Sequence, residues 1–296
     1  MMKALGLPLL LAILLATAST GAFARPDAEV ESLQMPAWMV RDGQRGALAV
    51  GTRLRDLDEI QSGTGARVLL RLADGSTVKL GENARFRLDA MAQEPGHEKS
   101  LFRASLAVIE GAFRFTTEAV YKFRGRREVD VRFSAVTAGI RGTDLWGKAA
   151  PDRDIVCLIE GKITVTREGA PPLAMQEPKT VLQAPKQAAP LAVAPVEAHQ
   201  LAIWAAETEI EPGAGAAHTG GTWKVYVWHS ATSAEAEAMS ARLREGGYAT
   251  RIITVSESGK RVFWVYLGGM PNRVEALALA HRLRGRMGIT ETSVGF

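Results

Sequence analysis

The sequence predicts a multidomain fold: an all-β N-terminal domain, built as a sandwich or a short β-solenoid, followed by a C-terminal α+β domain with the ferredoxin-like order βαββαβ. Short alternating strands punctuated by glycine occupy residues 33–167, and the last quarter of the chain repeats its own pattern at an offset of about 40 residues. Once a predicted N-terminal secretory segment is set aside, the remaining chain has the length of two domains.

The first 24 residues have the pattern of a secretory signal peptide. Lys3 supplies a positive charge, residues 5–16 are apolar, and Ala22-Phe23-Ala24 is a small-x-small cleavage site. The apolar run is shorter than the roughly 18 to 20 residues of a spanning helix, so an uncleaved anchor is the less favoured alternative. We expect an exported protein that begins near Arg25, with a cleavable signal peptide and no transmembrane segment in the mature chain.

The core of the N-terminal domain, residues 33–167, is predicted from its strands and turns. Alternating apolar residues on both sides of Asp74-Gly75 predict a hairpin, because Asp-Gly tolerates the positive φ of a tight turn. Segments 109–116 and 159–166 share one spacing, and we expect the Glu-Gly of each to be a turn between two strands. Both a sheet stack and a short solenoid-like sandwich accommodate such a repeat.

A segment rich in Pro and Ala follows the core, and we assign residues 25–211 to the all-β domain including this segment. Within it, 180–183 and 200–204 are predicted as further strands. Residues 212–220 are rich in Gly and Ala, which predicts a flexible linker. The C-terminal domain then occupies residues 221–296.

Each half of the C-terminal domain contains a strand, a capped helix and a second strand. Residues 223–228 and 261–267 alternate with period 2, as strands do. Each helix begins with a capping-box spacing and is followed by glycine, and its narrow stripe of Ala and Leu places it against one side of the sheet. The predicted capping pairs are Thr232 with Glu235 and Asn272 with Glu275.

If both helices cover one side, alternation turns a set of large side chains to the other side. The predicted open-face residues are Lys224, Tyr226, Trp228, Trp264 and Tyr266. Clustered exposed aromatic rings need a partner. A ligand platform is the favoured interpretation; cover by the linker or the other domain, and a dimer interface, are the alternatives.

The segment from Gly221 to Phe296 resembles a SPOR (sporulation-related repeat) domain. The resemblance rests on residues 225–227, the helix that ends in Gly246-Gly247-Tyr248, residues 263–268, and the helix that follows Asn272. That family has a four-stranded sheet with two helices on one face and binds peptidoglycan glycan strands stripped of their stem peptides. The resemblance implies that the four open-face aromatic rings stack on sugars, with the lysine near polar groups. The Gln and Arg usual in the family are tyrosine and tryptophan here.

The N-terminal domain resembles the FecR family of periplasmic domains. The resemblance rests on Trp38 with Asp42-Gly43, on residues 51–65, on residues 72–81, and on the run from Ala138 to Asp144. Well-known members relay a signal from an outer-membrane receptor to a sigma factor and carry a spanning helix before this domain. This sequence lacks that helix, so the resemblance implies a periplasmic location without transmembrane sigma regulation.

No catalytic pattern appears in the sequence. A nucleophile elbow, a zinc-binding His or Cys pair and a phosphate-binding loop are all missing. Cys157 is the only cysteine and lies in an apolar strand, which predicts a buried, inert thiol. We therefore expect no enzyme activity, no cofactor and no metal.

These observations predict a non-catalytic cell-envelope protein that binds denuded glycan strands through its C-terminal domain and uses its FecR-like domain for envelope signalling or scaffolding. Other envelope proteins are the expected partners of the FecR-like domain. The alternative is an assembly module of a periplasmic complex, with the aromatic face as a protein interface. Nucleic acid is not expected, because 36 basic and 32 acidic residues are nearly balanced and an export signal is present.

Overall fold

The computed structural model describes residues 28–94, 101–117, 125–257 and 259–296, so the predicted signal peptide lies outside the described residues. In chain order the N-terminal elements are β1 (Ala28–Gln34), β2 (Ala37–Arg41), β3 (Gln44–Ala47), β4 (Arg53–Leu54), β5 (Glu59–Ser62), β6 (Arg67–Leu72), β7 (Thr77–Leu80), β8 (Arg85–Glu94), β9 (Leu101–Thr116), β10 (Arg126–Arg132), β11 (Thr137–Ile140), β12 (Asp144–Ala149), β13 (Arg153–Glu160), β14 (Ile163–Thr166), β15 (Leu173–Met175), β16 (Thr180–Pro185), β17 (Ala194–Pro195), α1 (Ala198–Ala206) and β18 (Ala217–His218). The C-terminal elements are β19 (Trp223–Ser230), α2 (Ser233–Glu245), β20 (Arg251–Glu257), β21 (Lys260–Met270), α3 (Arg273–Leu283) and β22 (Ser293–Gly295). The predicted fold class, a mostly β region followed by a separate α+β region, is confirmed.

Two sheets form the N-terminal region. The first contains β1, β4, β6, β7, β12, β13, β16, β17 and β18, and the second contains β2, β3, β5, β8, β10, β11, β14 and β15. Strand β9 belongs to both, since its first half pairs with β8 and β10 and its second half with β7 and β12. Apolar side chains from both sheets fill one core, in which Phe86, Phe113 and Phe115 are fully buried. The arrangement is a sandwich, and the predicted β6–β7 hairpin is part of it.

The two Glu-Gly sequences mark places where the chain passes between these sheets. The predicted turn at Glu110-Gly111 is wrong, because β9 continues through it. Gly111 has φ 83°, and a Cβ there would lie 2.6 Å from the Ala84 Cα, so the crossing requires glycine. Glu160-Gly161 does separate two strands, and these strands lie in different sheets.

Helix α1 covers the outer face of the first sheet. The strand predicted at 180–183 is confirmed as part of β16, whereas the strand predicted at 200–204 is wrong and lies within α1. Alanine favours helix, and the Trp204 ring stacks on the fully buried Trp146 ring with centroids 4.8 Å apart and planes 7° apart. Cys157 is buried in the same cluster, and burial raises the pKa of its thiol to about 12.

The C-terminal sheet has the strand order β20-β21-β19-β22, with α2 and α3 packed on one face. The first and third strands therefore lie at its centre, as the ferredoxin-like order requires. Thr232 and Asn272 accept hydrogen bonds from the amides three residues later, which confirms both helix starts. The buried residues of this face include Val225, Val227, Val265, Leu267, Ala236, Leu243, Ala276 and Leu283. No helix among the described ranges is long and apolar enough to cross a membrane.

The N-terminal sandwich packs against the ends of α2 and α3. The Trp38 indole N–H donates to the Glu245 carbonyl at 2.9 Å, and a Cβ at Gly247 would lie 2.7 Å from the Trp38 ring. Arg282 on α3 donates to the Met35 carbonyl at 2.6 Å, and burial lowers the pKa of its guanidinium. These contacts lie on the helix-covered side of the C-terminal sheet. The sandwich also borders one end of the opposite face, where Val50 lines a cleft together with Arg251 and Gly268.

The segment predicted as a linker makes hydrogen bonds to both sides of this junction. The buried Glu275 carboxylate accepts from the amides of Gly213, Gly215 and Ala216 at 2.5, 2.7 and 3.0 Å. Strand β18, which ends the same segment, pairs with β1. The Glu275 carboxylate thus accepts hydrogen bonds from the connecting segment. In a capping box it would instead accept from the backbone amide of Asn272 at the start of its own helix.

Candidate functional site

The open face of the C-terminal sheet is centred on the two neighbouring strands β19 and β21. Tyr226 lies between two buried valines and stands opposite Tyr266, with ring centroids 5.8 Å apart. The Tyr226 ring also meets the Trp264 ring edge to face at 5.7 Å and an interplanar angle of 80°. The structure therefore brings together three of the four predicted aromatic residues on one surface.

The fourth predicted ring, Trp228, lies on the other face. A β-bulge at Val227 leaves two residues of β19 opposite one of β21, so that Trp228 stands opposite the buried Val265 and packs against the core. Its indole Nε1 is buried without a hydrogen-bond partner among the described residues. One extra residue reverses the inside–outside alternation of a strand, and for this reason the predicted placement of Trp228 is wrong.

The same bulge brings His229 to the open face. His229 stands opposite Trp264, and the two rings lie 4.6 Å apart with planes tilted by 30°. His229 is exposed at the end of β19. His229 is not among the predicted open-face residues, because period-2 alternation carries no sign of a bulge within a continuous strand. We call the four rings of Tyr226, His229, Trp264 and Tyr266 the ring platform.

Lys224 lies at one end of the ring platform. Its ammonium is 6.0 Å from the centroid of the Tyr266 ring, within reach of a cation–π contact. On one side, Lys224 stands opposite Gly295 of β22. On the other side, Leu267 of β21 stands opposite Val225, and Gly268 is the next residue of β21. These two glycines place no side chain beside Lys224.

Strand β20 adds residues that sequence reasoning missed. Arg251 stands opposite Tyr266, and Ile253 opposite Trp264. Ile253 and Val255 are 39% and 37% exposed, so they extend the apolar part of this face onto β20. Residues 251–257 alternate with period 2, which was the available sequence signal for a strand. From the sequence alone, this strand was given no bounds, and its neighbour in the sheet was not identified.

A pocket of about 310 Å³ opens at the far end of the ring platform. It is lined by Tyr226, Trp228, His229, Trp264, Glu291 and Thr292, among others. Because β22 pairs only with the first part of β19, no strand of the described residues lies beside the last part of β19 on this side. The open face thus continues from a cationic end through four rings to a pocket. Within the described ranges no cluster of His, Cys, Asp and Glu could hold a metal ion.

Comparison with known proteins bears on both regions. Residues 219–294 match the model of the SPOR domain, and residues 58–164 match the model named FecR protein. No match was found among curated proteins. Two crystal structures described as a candidate anti-sigma factor from Parabacteroides distasonis ATCC 8503 are 15% identical to this chain. Their TM-scores are 0.38 and 0.39, and the similarity covers 80% of this chain and 97% or 98% of theirs.

The family matches lie in the order that the sequence predicted, with FecR first and SPOR second. Each covers the region whose architecture is described above, a β-sandwich for the first and a four-stranded sheet with two helices for the second. The chain therefore carries a FecR region followed by a SPOR domain.

Proposed function

We propose that this is a non-catalytic envelope protein, exported to the periplasm, that binds denuded peptidoglycan glycan strands through the ring platform. The SPOR domain suggests peptidoglycan binding, and the FecR region suggests envelope signalling. The observation that carries the finer proposal is the grouping of Tyr226, His229, Trp264 and Tyr266 on the face opposite the helices. The FecR region would then present a signalling or scaffolding surface at the cell wall.

The ring platform suits a sugar polymer because each pyranose ring has an apolar C–H face and a polar rim. Aromatic rings provide apolar contact area at little cost in side-chain entropy. Tyr226 and Tyr266 also carry hydroxyl groups that can hydrogen bond to sugar oxygens. The face is shallow along its centre, as a long linear strand with no bulky branches requires.

Sedimentation with purified sacculi tests this proposal. The full mature chain should co-sediment more strongly with sacculi treated with an amidase, which removes stem peptides, than with untreated sacculi. Trp264→Ala should reduce sedimentation several-fold. Phe296→Ala is the matched control, since its ring is 72% exposed and contacts Trp223 at the end of the sheet. Failure to sediment with either preparation would overturn the proposal.

An interface with a second copy of this chain is the second candidate for the same face. Ile253 and Val255 extend its apolar surface onto β20, an edge strand of the sheet, and exposed apolar edge strands associate readily. If this candidate is correct, the molar mass by light scattering should exceed that of a monomer, and Ile253→Lys should return it to the monomer value. A monomeric wild-type chain would contradict it.

A further inference from the structure

Two cationic side chains flank Tyr266 at one end of the ring platform. Arg251 stands directly opposite Tyr266 on β20. Lys224 approaches the same ring from β19 on the other side, at 6.0 Å from its centroid. A group bound against Tyr266 would therefore meet one cation from each neighbouring strand.

Neither cation has an acidic partner within the described ranges. No carboxylate oxygen lies within 4.0 Å of Lys224 or Arg251 there, whereas Arg114 contacts both Asp144 and Glu209 on the sandwich. The contrast is informative because the chain has nearly as many acidic as basic residues and pairs many of them. Two unpaired positive charges close to one ring produce a local positive potential that favours an anion.

The structure leaves room for such a group beside Tyr266. A Cβ at Gly268 would lie 3.5 Å from the Tyr266 ring, and a Cβ at Gly295 would lie 3.5 Å from the Tyr226 ring, so glycine at these positions keeps a further side chain away from both rings. A cleft of about 260 Å³ adjoins this end of the ring platform, lined by Arg251 and Gly268 and by residues of the N-terminal sandwich such as Val50.

We propose that Lys224 and Arg251 bind the carboxylate that a glycan strand gains when its stem peptide is removed. This inference rests on the proposed function. In intact peptidoglycan the lactyl group of muramic acid is joined to the stem peptide through a neutral amide. Amidase hydrolysis breaks that C–N bond and leaves a carboxylate, which is ionised at neutral pH, as are other carboxyl groups of similar acidity. A denuded strand therefore carries one negative charge per muramic acid.

The two cations would thus make the platform prefer denuded strands over strands with stem peptides on the basis of charge as well as size. A stem peptide adds bulk that a shallow face must accommodate, and it also removes the charge that Lys224 and Arg251 attract. The rings contribute contact area with any saccharide, while the cations favour the deprotonated carboxylate. Because both cations are at the surface, added salt should weaken their contribution.

Equilibrium binding of the full mature chain to soluble denuded strands tests this inference. Three ligands are compared: native denuded strands, the same strands with their carboxylates converted to neutral methylamides, and strands that retain stem peptides. We expect the methylamide strands to bind about two- to fivefold more weakly for each cation engaged, the range of an exposed ion pair. In Lys224→Gln/Arg251→Gln, native and methylamide strands should bind equally.

Arg261→Gln is the matched control, because Arg261 is exposed on β21 opposite Ser256, about 17 Å along the sheet from Arg251. It should keep the preference for native strands. Equal binding of native and methylamide strands by the wild-type chain, with Trp264→Ala weakening both, would overturn the carboxylate inference and leave the proposed function standing. No binding of any strand would overturn both.

Discussion

His229 lies against Trp264 on the open face of the C-terminal sheet, with ring centroids 4.6 Å apart and planes tilted by 30°. The contact exists because the bulge at Val227 moves His229 to the position that strict alternation gives to Trp228. Trp228 in turn packs against the core under the sheet. One extra residue in a strand thus decides which of two adjacent rings stands against Trp264 on the open face.

The bulge predicts that Trp228 and Trp264 have different roles. Trp228→Ala should lower the free energy of unfolding by about 2 to 4 kcal/mol, since it removes a large half-buried ring from the core. Trp264→Ala should cost about 1 kcal/mol or less, as expected for a surface position. Urea unfolding measures both, and a greater loss for Trp264→Ala than for Trp228→Ala would contradict the assignment of faces.

The prediction of the fold succeeded where periodicity was regular and failed where a local irregularity changed it. Val225 and Val265 were correctly placed against the helices, because a half-buried strand alternates strictly. The bulge at Val227 and the crossing at Gly111 interrupt that pattern without a distinct sequence signal, since glycine marks turns and crossings alike. Helix α1 was missed because it is only nine residues long and none of its residues is fully buried.

The contacts of the connecting segment also required the structure. Gly and Ala favour flexibility in isolation, and nothing local indicates that Glu275, some 60 residues later, accepts three of the segment's amides. Contacts distant in sequence leave no periodic pattern behind. For the same reason, Arg251 could not be placed beside Tyr266 until the pairing of β20 with β21 was known.

Removal of the Glu275 carboxylate should loosen the junction between the two regions. Glu275→Ala leaves three amides without their acceptor, which we expect to lower the free energy of unfolding by about 1 to 3 kcal/mol. Hydrogen exchange at Gly213, Gly215 and Ala216 should accelerate in the variant. Glu237→Ala, an exposed acidic residue of α2, is the control and should change neither quantity. Unchanged exchange in Glu275→Ala would contradict the role assigned to this carboxylate.

Cys157 should be unreactive in the folded protein. Burial raises the pKa of its thiol to about 12, so the thiolate that reacts with alkylating agents is scarce at pH 8. We expect no labelling by iodoacetamide in native buffer and complete labelling in 8 M urea, as measured by intact mass. Rapid labelling of the native protein would show that the cluster of Trp146, Trp204 and Cys157 opens in solution.

The most direct test of the account is to observe the ring platform while a glycan strand binds. The chain has six tryptophans, and their indole N–H groups can be observed by ¹⁵N NMR and assigned by substitution. On addition of denuded glycan strands, the Trp264 indole signal should shift or broaden in proportion to occupancy. The Trp146 and Trp204 signals, from the stacked pair between α1 and the first sheet, should not move. Saturable binding that leaves the Trp264 signal unchanged would contradict the central claim that this open face is the glycan-binding site.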